Sequence, residues 1–236
     1  MDAAEVEAAE AQKEAMLAHV VPFAAWIVVM MMFDAGGWSY GLRMVLAVAG
    51  LAWFRPWRWY KPPRISTWPL GVLVGVLVFV VWVLPESPWA VSWGPFREGY
   101  LRLGHMPPWS MPEPISGSPY APETGGWVLT IVRVLGATVV VALIEEFFWR
   151  GFVYRWLIER DFVNVDLGKL DVAMLLAASL VFGLEHDRWL VGALAGLAYG
   201  YLVVRTRDLW SAVIAHAVTN FLLACYVLAT GSYSFW

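Results

Sequence analysis

Three groups of polar residues lie in the apolar C-terminal half of this chain, and their types and spacing suit a general base and oxyanion-stabilising donors. The first is Glu145-Glu146-x-x-x-Arg150, set between the apolar run 139–144 and the aromatics Phe147, Phe148 and Trp149. A carboxylate at bilayer depth costs roughly 3 kcal/mol on insertion scales, so residues of this kind mark function by default. At about 100° per residue, Arg150 falls about 40° around the helix from Glu146 but about 140° from Glu145. The spacing gives Arg150 to Glu146 as a charge partner and leaves Glu145 unpaired in its own helix, available as a base. A structural ion-pair cluster joining helices is the bland alternative, but two acids against one base leave a charge unexplained.

The second group, Phe182-x-x-x-His186, closes an apolar segment and puts an aromatic ring one turn below an imidazole on the same face. Glu185 and Asp187 flank His186 and offer it local partners, which keeps a plain interfacial reading open. The third, His216-x-x-x-Asn220, again places two polar groups one turn apart, on a helix of small and apolar residues. Imidazole and carboxamide donate hydrogen bonds without a fixed negative charge, which suits an oxyanion. They serve equally as polar glue between helices. Ser179 and Ser211 lie near the two histidines, but each reads more simply as a packing or capping residue than as a nucleophile.

The elements that must position these groups are membrane helices. The chain has 236 residues, of which 60% are hydrophobic and 15% charged, with 16 Trp and a mean hydropathy of +0.62. That composition belongs to an integral membrane protein. The net charge of -3 gives no reason to expect nucleic acid as a partner. The single cysteine, Cys225, rules out an intrachain disulfide and reads as a small buried hydrophobe in an apolar segment.

Apolar stretches near 17–33, 40–54, 68–85, 127–158, 171–186, 189–204 and 209–230 predict an all-α, polytopic transmembrane bundle of about seven to eight spans, the eighth arising if 127–158 breaks at Gly151. The organisation read from this is an acidic N-terminal helix over 1–16, a three-span segment over 17–85, an external loop over 86–126 and a catalytic membrane region over 127–236. Arg55, Arg58, Lys61 and Arg64 cluster after the second stretch, Arg155, Arg160 and Lys169 after the fourth, and Arg205 and Arg207 after the sixth. By the positive-inside rule the N-terminus is cytoplasmic, in what would be a bacterial inner (plasma) membrane.

The connection between the third and fourth stretches is rich in Pro, Gly and Ser, but its aromatics (Trp89, Trp93, Phe96, Tyr100, Trp109, Tyr120) argue for a loop packed on the membrane surface. Trp38, Trp53, Trp68, Trp127 and Trp210 read as interfacial anchors. Gly192, Gly196 and Gly200 form a small-xxx-small ladder, suited to packing helices within the chain.

Taken together, the order Glu-Glu-x-x-x-Arg, Phe-x-x-x-His, His-x-x-x-Asn on successive hydrophobic helices resembles the CPBP family of intramembrane proteases, which includes the type II CAAX prenyl endopeptidases. The resemblance covers about residues 127–225, and the first half of the chain matches only in being hydrophobic and multi-spanning. It implies that Glu145 is a general base activating water, that His186 helps to hold the water, and that His216 and Asn220 stabilise the oxyanion. Glu146, Arg150 and Phe182 would support the site. The reaction implied is direct hydrolysis of a peptide bond in a membrane-associated protein or peptide, without an acyl-enzyme and without a cofactor.

Zinc held by Glu145, His186 and His216 is the competing chemistry, although no H-E-x-x-H signature is present. A transporter would spread polar groups through more helices and carry matching halves. A non-catalytic scaffold or immunity-type protein would keep the same motifs as structure. The resemblance extends to substrates that are prenylated CAAX peptides or tails handled by a C-terminal sorting system of the exosortase type. Oligomeric state is not encoded in any of these features. One tension remains at this stage: by helix rise, Glu145 and His216 sit at similar depths, whereas His186 falls nearer the far side unless the fifth helix starts below the surface, tilts, or follows a connection that dips inward.

Overall fold

The computed structural model describes residues 3–108 and 117–236, and among them every regular element is helical. We number the α-helices α1 (Ala3–Met32), α2 (Gly37–Phe54), α3 (Trp68–Val83), α4 (Pro95–Leu103), α5 (Pro122–Ile158), α6 (Val172–Leu184), α7 (Trp189–Thr206) and α8 (Leu209–Thr230). Among the described residues, 5 helical stretches are long and apolar enough to cross a membrane: Glu5–Met32, Ile65–Glu86, Pro122–Ile158, Trp189–Thr206 and Leu209–Thr230. The protein is therefore an all-α integral membrane protein, with fewer qualifying spans than the seven to eight expected.

The shortfall has physical causes. Helix α6 has 13 residues, which at about 1.5 Å per residue reach roughly 20 Å, short of a hydrocarbon core about 30 Å thick. Helix α2 opens on Gly37-Trp38-Ser39-Tyr40-Gly41 and carries Arg43, which dilutes its apolar character. Helix α5 does not break at Gly151; it runs on to Ile158. Its one departure from helical backbone is Gly126, at φ 75 and ψ 162, a left-handed conformation that glycine tolerates. The regular part thus begins at Trp127, where the apolar pattern places it. The acidic N-terminal stretch and the first expected span form one continuous helix, α1.

Two buried cores lie on either side of α5. One gathers Phe23, Trp26, Tyr40, Ala47, Leu51 and Ile144, joining α1, α2 and α5. The other gathers Phe147, Trp149, Phe182, Tyr199, Ala212 and Ala215, joining α5 to α6, α7 and α8. Outward faces stay apolar: Leu73, Leu77, Leu176 and Val181 are all exposed, as a lipid-facing surface requires. Cys225 is also exposed, on the outer surface of α8 rather than buried as expected.

The glycine ladder of α7 packs against α6 within the chain. A Cβ on Gly192 would meet Gly183, one on Gly196 would meet Ser179, and one on Gly200 would meet Leu175. Small residues here let the two backbones approach closely. Side-chain caps fix where the site-bearing helices start: Asp171 accepts from the Met174 amide at the head of α6, and Asp208 from the Trp210 amide at the head of α8.

The C-terminal end of α5 is tied down by Arg155, whose guanidinium donates to the carbonyls of Val163 (2.7 Å) and Val165 (2.8 and 3.0 Å). Burial pushes the Tyr60 phenol up to about 12. It therefore stays neutral between His19 Nε2 (2.8 Å) and Arg155 Nη1 (3.3 Å). Within the described part of the segment before α5, residues 103–106 are tied to the turn after α6. Trp189 Nε1 donates to the Leu103 carbonyl (2.5 Å) and the Met106 amide to the Asp187 carbonyl (2.7 Å). Of its aromatics Tyr120 is buried and Trp89 and Phe96 are exposed, while Trp109 lies outside the described residues.

Candidate active site

Around its two glutamates, α5 is not a uniform α-helix. Two π-helical stretches, Gly136–Val141 and Phe147–Val153, flank a short α-helical turn, Ala142–Glu146. Such widened turns concentrate at functional sites. Glu146 is fully buried on that turn. Its Oε1 accepts from Arg150 Nη1 at 3.0 Å, the pairing the spacing predicts, and also from His216 Nδ1 at 2.9 Å. Arg150 reaches further, donating Nη2 to the Gly196 carbonyl (3.2 Å) and lying over the Phe182 ring at 4.3 Å. One buried carboxylate and one buried guanidinium thus bind α5, α6, α7 and α8 together.

Glu145 is placed differently. Its side chain is 12% exposed, and its nearest basic partner is His216 Nε2, 3.9 Å from Oε2, too long for a hydrogen bond. Oε2 itself is buried without a hydrogen-bond partner. An unpaired acceptor in a buried position is costly.

The other expected site residues arrive at the same place. Glu145, Phe182, His186, His216 and Asn220 all line one cavity of about 170 Å³. Glu146 and Arg150 stand behind its wall. His186 directs Nδ1 to the Phe182 carbonyl (2.9 Å), with Trp82 edge-on to its ring. Of its acidic neighbours, Glu185 accepts from Trp149 Nε1 at 2.9 Å, and the Asp187 backbone carbonyl accepts from the Met106 amide. Asn220 Nδ2 donates to the Ala137 carbonyl (2.8 Å), inside the first π-helical stretch. Both imidazoles are therefore anchored through Nδ1 to an acceptor, which assigns the proton there and leaves Nε2 free. Ser179 packs against Gly196, and Ser211 donates to the Asp208 carbonyl, so neither is set up as a nucleophile.

The depth tension resolves through the connection between α5 and α6. The Tyr154 hydroxyl meets the Lys169 carbonyl (2.8 Å) and the Asp171 amide (3.0 Å), so α6 starts level with Tyr154. His186 then points back along its own helix toward Phe182, which brings the imidazole level with the cavity.

Several neighbours of the site were not singled out from sequence. The Tyr199 ring stacks on His216 (centroids 5.2 Å apart), and its hydroxyl donates to Thr219 Oγ1 at 2.7 Å. Phe235 and Trp236, beyond α8, also line the cavity. Their segment is held by Arg188, which donates to the Ser234 carbonyl (2.7 Å), lies over the Phe235 ring (3.9 Å) and is braced by both Glu86 carboxylate oxygens (2.5 and 2.8 Å). These contacts are long-range and leave no local spacing signal. Arg133, a further cavity residue, does leave one. It is a base in an apolar span, and the positions three and four residues away on either side (Leu129, Thr130, Gly136, Ala137) carry no acid.

Among the described residues no group of three or more His, Cys, Asp or Glu side chains is disposed to hold a metal ion. The trio Glu145, His186 and His216 does not form one, and the zinc alternative gains no support from this geometry.

The site is thus a cavity in a polytopic helical bundle, lined by an acid, two imidazoles and a carboxamide. Residues 127–222 match the family described as type II CAAX prenyl endopeptidase Rce1-like. That stretch, which holds all three motifs, is where the chain is similar to the CAAX-protease family. No curated protein and no solved structure matches the chain.

Proposed function

We propose that this protein is a glutamic-type intramembrane endopeptidase that hydrolyses a peptide bond in a membrane-associated protein or peptide. The observation that carries the reading is the division between two adjacent carboxylates. Glu146 is fully buried with its Oε1 held by Arg150 and His216, whereas Glu145 lines the cavity with His216 Nε2 3.9 Å from its Oε2; the Oε2 atom of each is without a hydrogen-bond partner.

In this reading Glu145 takes a proton from a water held by His186 Nε2, and the hydroxide adds to the peptide carbonyl carbon. Two donors face the resulting oxyanion. One is the second amide N–H of Asn220, the first being spent on Ala137. The other is the His216 imidazole, held in place by Glu146 Oε1 on its Nδ1. Glu145 then gives its proton to the leaving nitrogen, the C–N bond breaks, and an acid and an amine are released. Donors placed in advance in a dry site are the largest lever such a reaction has.

The orientation that goes with this reading puts the N-terminus in the cytoplasm of a bacterial cell, supported by the basic residues after α2 and α5. Prenylated CAAX peptides are the first substrates to try, because the matched family description names them. The test is comparison of membrane-protein termini between cells carrying the wild-type chain and cells carrying Glu145→Gln. New termini that vanish in the variant support the reading, and identical termini sink it.

A further inference from the structure

The cavity contains a cation that this mechanism does not use. Arg133 lies three turns before Glu145 on α5 and lines the same cavity. Its guanidinium sits over the rings of Tyr40 (5.0 Å) and Tyr120 (5.2 Å). Arg43 lies 6.0 Å from the Tyr40 ring centroid and 5.8 Å from that of Trp26. The Nε atoms of both arginines are buried without a hydrogen-bond partner. Among the described residues neither guanidinium forms an ion pair, although the buried cations Arg150 and Arg188 are paired, with Glu146 and Glu86.

Two guanidinium groups around one tyrosine ring, inside apolar helices and without a counter-ion, are an electrostatic excess of positive charge. An arginine at such depth normally finds an acid or stretches to water. Arg133 does neither with its Nε, which is closed off by protein. Aromatic faces attract a cation through their quadrupole but carry no net charge, so they do not replace an anion. A planar, forked donor at the wall of a substrate cavity fits a carboxylate.

We propose that Arg133 is the specificity residue of this site, binding a carboxylate carried by the peptide that Glu145 cuts; the identification of that peptide as substrate rests on the endopeptidase reading. Twelve residues of helix at about 1.5 Å each separate Arg133 from Glu145, a span of roughly 15–18 Å. An extended peptide covers that in about five residues at about 3.3 Å each. The carboxylate therefore belongs about five residues from the scissile bond, as an Asp or Glu side chain or as a chain end. On α5 the cavity wall between the two ends is apolar, with Val134, Ala137 and Val141, so Arg133 is set apart from the groups around Glu145.

The test uses the full-length protein in liposomes and a set of fluorescent, apolar dodecapeptides with a single glutamate stepped along the chain. Matched controls carry glutamine at the same position, and each peptide is made with a free and with an amidated C-terminus. Binding is read by anisotropy on Glu145→Gln protein, and cutting by mass spectrometry on protein with Glu145 intact. The expected result is a preference for glutamate over glutamine of about ten-fold or more, the scale of a charged hydrogen bond. It should peak at one spacing, fall to about one in Arg133→Gln, survive in part in Arg133→Lys and reverse toward lysine-bearing peptides in Arg133→Glu. The amidated peptides separate a side-chain carboxylate from a chain end. A preference that persists in Arg133→Gln, or no peptide binding at all, overturns the proposal. Charge-selective binding without any cutting leaves Arg133 as an anion site and removes the endopeptidase reading. Cutting that ignores charge does the reverse. A preference that disappears when anionic lipid is added, with no peptide spacing favoured, assigns Arg133 to lipid phosphate and also overturns it.

Discussion

His216 touches both glutamates of the pair unequally: its Nδ1 is 2.9 Å from Glu146 Oε1, and its Nε2 is 3.9 Å from Glu145 Oε2. One imidazole from α8 therefore distinguishes two neighbours on α5. The short contact orients the ring, and the long one leaves room between His216 and Glu145 for a reacting group. The sequence motif Glu-Glu-x-x-x-Arg becomes a four-member arrangement in space, Arg150–Glu146–His216 facing Glu145.

This asymmetry predicts opposite phenotypes for two like substitutions. Glu146→Gln leaves the Arg150 guanidinium, whose side chain is 4% exposed, without its counter-charge. Breaking a buried pair in this way costs about 3–5 kcal/mol, so the variant should lose thermal stability in detergent. Glu145→Gln keeps the shape and removes an unpaired charge, so it should melt at or slightly above the wild-type temperature while abolishing cleavage. Equal stability of wild type and Glu146→Gln would remove the structural role given to Glu146.

Much of this site is legible in the sequence because it is written in i,i+4 steps. Glu146–Arg150, Phe182–His186 and His216–Asn220 each lie one turn apart, and periodicity alone puts each pair on a common face. Which pairs meet is a tertiary matter. Nothing local says that His216 is anchored by Glu146, that Tyr199 stacks on it, or that Asn220 reaches the Ala137 carbonyl. The π-helical turns of α5 have no recognised spacing signal, and they decide where Glu145 and Ala137 face. The span count is borne out only in part for a related reason. Apolarity marks α6 as membranous, but its length is set by the Asp171 cap and the Tyr154 contacts, which hydropathy does not record.

Asn220→Ala removes one donor to the proposed oxyanion. Loss of a single donor of this kind lowers kcat by about 10²–10³-fold, with KM largely unchanged. The same side chain also ties α8 to the Ala137 carbonyl, so thermal stability must be measured alongside. A fall in kcat that merely tracks a fall in melting temperature would return Asn220 to a structural role.

Metal removal separates the glutamate mechanism from a metalloprotease. Protein purified and dialysed exhaustively against chelators should cut its substrate at the untreated rate, and added zinc should not raise it. Activity lost on chelation and restored by zinc contradicts the base role given to Glu145.

Gly75 tests how closely the scaffold holds the site. A Cβ there would stand 2.4 Å from the Ala215 carbonyl and 2.8 Å from Val218 Cβ, both on α8. Relief requires α8 to move away from α3, and Ala215 is adjacent to His216. Overpacking of this kind costs about 1–3 kcal/mol, so Gly75→Ala should lower both melting temperature and kcat. Gly41→Ala, where a Cβ meets nothing within 4 Å, should lower neither.

The final prediction concerns the segment that covers the cavity after α8. Arg188 sits two residues beyond His186 and is bound on one side to Glu86, which also accepts from His105 Nε2 at 3.0 Å. On the other side it holds Ser234 and the face of Phe235. Phe235 and Trp236 line the cavity, so this one guanidinium links the cover to the turn that carries His186. Arg188→Ala removes the link at both ends and leaves Glu86 without its main partner, a loss on the scale of a broken, largely buried pair, about 3–5 kcal/mol. Backbone amides at 233–236 should then exchange with solvent many-fold faster, while those of α7 and α8 stay protected. Glu86→Gln keeps one oxygen acceptor for Arg188 and should give a smaller change of the same sign. If exchange at 233–236 is the same in all three proteins, Arg188 does not hold the cover, and the aromatic contacts of Phe235 with Tyr226 and of Trp236 with Tyr233 must hold it instead.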